Sequence, residues 1–165
     1  MQTIDPMAPI QYRQHQLAGI LGKLPQISGL LVVSPPTHMT GLTRDNSATI
    51  AFVEACYFSN GIDTAELNEW AEHIMISHPT YPDYVVDLRE FNAPRFHFYR
   101  IVGFTPDREL SQAESKAISG IAYLRGREVI DGPSEQDAFT ALIGNSHILD
   151  EFTSTFPFLQ LPRQG

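Results

Sequence analysis

Apolar positions in this chain fall into short blocks separated by proline, glycine and polar punctuation, and the spacing inside each block predicts its element. Residues 10–23, IQYRQHQLAGILGK, read as an amphipathic helix that Pro9 opens and Pro25 ends. Ser28 to Val33 read as a short strand rich in Leu and Val, broken by Pro35 and Pro36. A polar loop follows, PPTHMTGLTRDN. Asn46 or Ser47 is placed to cap the next helix, and Gly61 to close it. Ile50, Phe52, Val53, Cys56, Tyr57 and Phe58 surround that helix with apolar side chains, the mark of a buried central element.

The segment TAELNEWAEHIMISH, residues 64–78, is a helix by its 3.6-residue period. Asp63 caps it, with Glu66 three residues on as the partner of a capping box. Turning about 100° per residue, Leu67, Trp70, Ala71, Ile74 and His78 form a core stripe. Glu66, Glu69 and His73 lie on the flank beside it, and Glu72 continues the polar side. YVVDL (84–88) and RFHFYRIVGF (95–104) read as strands from their Val, Tyr, Phe and Ile content and near-twofold alternation, with a helix over 95–102 as the alternative. Ser111 with Glu114 opens a helix through Leu124, with Gly126 past its end. Ser134 opens another that Gly144 closes, and Ser146 a short last one. The tail is expected to pack through Phe156, Phe158 and Leu159. The expected fold is one α+β domain over 1–165, with about five helices, a sheet of roughly three strands, and disorder at 1–8 and 162–165.

Charge changes this picture more than composition does. The 165 residues carry a net charge of −8, and the charge is blocked along the chain. Residues 45–88 hold eight acids and no Lys or Arg, whereas residues 89–127 hold seven bases against four acids. The acidic block must pair with the arginine-rich middle, face water, or meet a basic partner. Net acidity argues against nucleic acid and against anionic membrane surfaces as ligands. The first residues lack the basic start and apolar run of a signal peptide, and GLLVV at 29–33 is too short to span a bilayer. Cys56 is the single cysteine, so no intramolecular disulfide forms, and a cytoplasmic location is expected.

Candidate chemistry is sparse. His73 and His78 are five residues apart, about 140° around a helix, which excludes the simplest helical metal pair. Glu69 and His73 are correctly spaced to share a metal but bring no third ligand, so neither metal nor cofactor is expected. Cys56 sits among aromatic residues in an apolar helix, where a thiol is a small buried hydrophobe rather than a nucleophile. No phosphate-binding glycine loop and no serine-nucleophile elbow is present.

Two functional readings emerge. In the first, the protein is a small acidic binding protein, such as an immunity protein or inhibitor that neutralises a basic protein. Its contact residues are Glu66, Glu69, Glu72, His73 and Asp83, with Trp70 partly exposed as an anchor. In the second, it is a small-molecule enzyme or ligand-binding domain with a pocket near His38, Arg44, Glu54 and Arg100. There His38 is a candidate general base and Arg44 a candidate anion clamp. On a strand, Arg100 would point inward and pair with Asp87 or grip an anionic ligand. Glu54, the lone charge of its helix, either marks an exposed sliver or is buried with a raised pKa and answered by Arg100 or Arg89.

Overall fold

The computed structural model describes residues 41–162. These form seven α-helices and one short 3-10 turn, with no strand among the described residues. In chain order the helices are α1 (Ala48–Phe58), α2 (Thr64–Ser77), α3 (Tyr84–Arg89), α4 (Phe98–Val102), α5 (Gln112–Leu124), α6 (Glu135–Gly144) and α7 (Ser146–Thr155). The 3-10 turn, Arg95–His97, runs directly into α4. No helix among the described residues is long and apolar enough to cross a membrane.

The expected α+β fold is therefore corrected. Both candidate strands that fall within the described residues are helical, while the helix at 10–23 and the strand at 28–33 lie outside them. In 84–88 the buried side chains are Tyr84, Val85 and Leu88, a helical spacing rather than an alternation. In 95–104 the buried pair is Phe98 and Val102, one turn apart. Pro94 sits at the cap position of the 3-10 turn, and Gly103 ends α4 at φ +80°, in the left-handed region that glycine enters without strain. Aromatic and β-branched composition marked these segments as strands. Composition of that kind reports fitness for a half-buried surface, and a helix packed on a core offers one too.

Capping chemistry is where sequence and structure agree most closely. Asp63 and Glu66 form a reciprocal capping box at α2, and Ser111 and Glu114 form another at α5. The Ser134 hydroxyl accepts the Asp137 N–H at the start of α6. Ser47 departs from its expected role. Its hydroxyl donates to the Asp107 carbonyl and accepts the Asp107 N–H, tying α1 to the segment before α5 rather than capping its own helix.

The core is centred on α1, whose Ile50, Phe52, Val53, Cys56 and Tyr57 are all buried. It joins Leu67, Trp70 and Ile74 of α2, Val85 and Leu88 of α3, Phe98 of α4, Ile118 and Ile121 of α5, and Phe152 of α7. Helices α5 and α6 approach closely at Gly120. A methyl group there would lie 2.7 Å from the Ala138 carbonyl oxygen, so only glycine admits this crossing.

Candidate functional site

The acidic block was expected to pair, face water or meet a partner, and α2 divides it. At its first turn, Arg125 and Arg127 arrive from the C-terminal end of α5. Arg125 donates to Glu66 Oε1 at 2.5 Å, to Glu66 Oε2 at 3.0 Å and to the Gly61 carbonyl at 2.6 Å. Arg127 donates to Asp63 Oδ2 at 3.0 Å and to Glu66 Oε2 at 2.9 Å. Glu66 Oε2 also accepts the Asp63 N–H of the capping box. The arrangement complements both helix dipoles, with acids at the positive end of α2 and guanidinium groups near the negative end of α5. Burial pushes the Glu66 carboxyl up, but the arginine bonds and the Asp63 cap outweigh it and hold the pKa below its ordinary value. Asp63 is lowered in the same way against a smaller burial. Glu66 is thus occupied by the fold and withdrawn from the expected contact set.

One turn later the picture reverses. Glu69 is exposed and bonds to no described residue. Glu72 is half exposed and meets only Arg89, at 3.9 Å across a solvated gap. Asp83 and Asp87 are exposed at the start and middle of α3, with no side-chain partner among the described residues. His73 is half buried, its ring 6.0 Å from that of Phe158 in the C-terminal tail. Burial, with His78 nearby, lowers its pKa, so it is neutral at physiological pH. Trp70 is fully buried, which corrects its placement as an exposed anchor, and its indole N–H meets no acceptor among the described residues.

Of the alternative pocket set, Arg44, Glu54 and Arg100 are described, and each has its own local surroundings. His38 lies outside the described residues. Arg44 donates to the Gly103 carbonyl at 3.0 Å and stacks on Phe104. Arg100 is exposed rather than carried inward, because its segment is a helix, and it forms no ion pair with Asp87. Glu54 is half buried and accepts a short hydrogen bond from the Tyr99 hydroxyl, and neither Arg100 nor Arg89 answers it. Burial raises the Glu54 pKa more than the Tyr99 bond lowers it. A shallow groove between α5 and α6 is lined by other residues, among them Gln112, Lys116, Asp137 and Thr140.

No group of three or more His, Cys, Asp or Glu side chains among the described residues is placed to hold a metal ion. Cys56 is fully buried, and desolvation drives its thiol pKa upward, far from the range of a reactive thiolate.

Two features escaped sequence reasoning. Arg125 and Arg127 were visible only as members of a basic block. Their spacing just past the end of α5 was the available signal for a clamp, but its target needed the fold. The exposed aromatic pair Phe58 and Tyr99, beside Glu54, was hidden because Tyr99 was assigned to a strand. No protein family, no curated protein and no solved structure matches this chain.

Proposed function

We propose that this is a small acidic binding protein that captures a basic protein partner, as an immunity protein or inhibitor would. One observation carries the reading: four of the described arginines are engaged by the fold itself, with Arg89 and Arg100 exposed, while a set of acids is left facing solvent. Arg125 and Arg127 hold Asp63 and Glu66, Arg108 holds Glu151, and Arg95 holds the Tyr57 carbonyl and Asn60. Glu69, Glu72, Asp83 and Asp87 remain directed to solvent. A solvated helix usually answers such acids with a lysine one turn on, and α2 contains neither Lys nor Arg. Uncompensated surface acids raise the association rate with basic partners and select against acidic ones. The contact set becomes Glu69, Glu72 and Asp83, with His73 at its edge as a neutral ring. A single buried thiol fits a cytoplasmic setting for this work.

The test is affinity capture with the wild-type chain and with the Glu69→Lys/Glu72→Lys variant, at low and high salt. The wild type is expected to retain a basic protein whose recovery falls with salt, and the variant to lose both the protein and the salt dependence. Equal capture by the two chains would contradict the assignment.

A further inference from the structure

The chain binds its own arginines in a recurrent way. The Arg108 guanidinium lies 5.3 Å from the ring centroid of Phe52 while its nitrogens bond both carboxylate oxygens of Glu151. Arg125 lies 5.9 Å from the ring of Phe152 while it holds Glu66. Arg95 lies 4.7 Å from the ring of Tyr57 and bonds two neighbouring oxygens. In each case a planar cation has an aromatic ring on one side and acceptor oxygens at its edge, an arrangement suited to a weakly hydrated guanidinium.

One exposed cluster has the rings and the oxygens but no guanidinium from the described residues. Phe58 and Tyr99 stack with centroids 5.5 Å apart and planes 28° apart, and they are 41% and 36% exposed. Glu54 lies one turn before Phe58 on α1, and its Oε1 accepts the Tyr99 hydroxyl. Its Oε2 receives no hydrogen bond from the described residues. Phe96, three residues before Tyr99, is a further exposed aromatic side chain at 66%. Arg100 follows Tyr99 directly, but it points about 100° around the helix, is exposed, and forms no cation–π pair or ion pair with the cluster. Among the described residues the half-buried Glu54 carboxylate therefore has one hydroxyl donor and no countercharge.

We propose that Phe58, Tyr99 and Glu54 form a receptor for an arginine side chain of the partner, its guanidinium lying on the rings and donating to Glu54. This deepens the preceding reading and rests on it: the partner is basic, and this cluster requires an arginine, not merely a positive charge.

The test is NMR titration of the full chain with a tetra-arginine peptide and a matched tetra-lysine peptide. Tetra-arginine is expected to shift the Phe58 and Tyr99 ring resonances saturably. Glu54→Gln and Phe58→Ala should each weaken that binding by roughly threefold to tenfold, the size of one exposed cation–π or charge-assisted contact. Thermal unfolding checks that both variants fold, and Glu54→Gln alone decides if Phe58→Ala does not. Shifts confined to Glu69, Glu72 and Asp83 would overturn the receptor and leave the acidic-face reading standing. An absence of shifts anywhere would overturn both. Equal response of the rings to tetra-lysine would overturn the arginine assignment.

Discussion

Glu66 and Glu69 sit three residues apart on one helix, in one base-free stretch, and they have opposite fates. The Glu66 side chain is 15% exposed and bonded by two arginines and a backbone N–H. Glu69 is open to solvent and bonded to nothing described. The difference is one of reach. The C-terminal end of α5 abuts the N-terminal end of α2, so Arg125 and Arg127 serve the first turn and stop there. Acidity that looks continuous in sequence is thus two things: a clamp that joins α2 to α5, and a surface for which the described residues supply no counterion except Arg89 at the margin of Glu72. A run of like charge should therefore be divided by which charges the tertiary structure answers before any of it is assigned to a partner.

The comparison is broken most severely at Arg125. Arg125→Ala removes the bond to Gly61 and both bonds to Glu66, leaving a largely buried carboxylate with Arg127 and the Asp63 N–H, and with one cation where it had two. A loss of about 3 kcal/mol is expected, at the lower end for breaking a buried pair because both side chains keep some solvent contact. It should read as a lower urea midpoint at constant slope.

A smaller effect is expected from pH. Asp63 and Glu66 have folded pKa values below their ordinary 3.8 and 4.5, so their stabilisation is complete above those values. It is lost as pH falls through the folded values. Glu54 has the opposite sign. Its folded pKa is raised, so its contribution is complete at low pH and lost as pH rises through the folded value. Urea unfolding against pH should show the acid loss in the wild type and a shallower one in Arg125→Ala. Glu54→Gln should gain slightly on the wild type at neutral pH and show no gain in acid.

The smallest effect is expected at Arg89. Its pairing with Glu72 is long and solvated on both sides, so Arg89→Ala should change stability by less than about 0.5 kcal/mol. A thermal melt checks this, and a large loss would place Glu72 in the clamp rather than on the free surface.

Legibility of the sequence followed the range of the interactions. The capping residues Asp63, Ser111 and Ser134 were readable because a cap is set by residues three apart. The core stripe of α2 was readable because Leu67, Trp70, Ala71 and Ile74 obey one period. The same stripe argued against an exposed Trp70, and the structure follows it. The segments 84–88 and 95–104 were misassigned because helices of six and five residues hold too little period to compete with aromatic and β-branched composition. That error carried Arg100 inward on paper and hid the Tyr99–Glu54 bond. For the candidate site, the unexplained acidity of Glu69 and Glu72 was visible from the missing lysines. The removal of Glu66 from that set depended on a contact 59 residues away, which no local pattern encodes.

The division of α2 is tested most directly by urea unfolding of Glu66→Gln and Glu69→Gln side by side at neutral pH. Each removes one negative charge from the same helix and keeps the side chain's length. The account requires Glu66→Gln to lose about 2 kcal/mol, as two arginines are left half-answered, and Glu69→Gln to stay within about 0.5 kcal/mol of the wild type. Equal losses at the two positions, or a larger loss at Glu69, would contradict it.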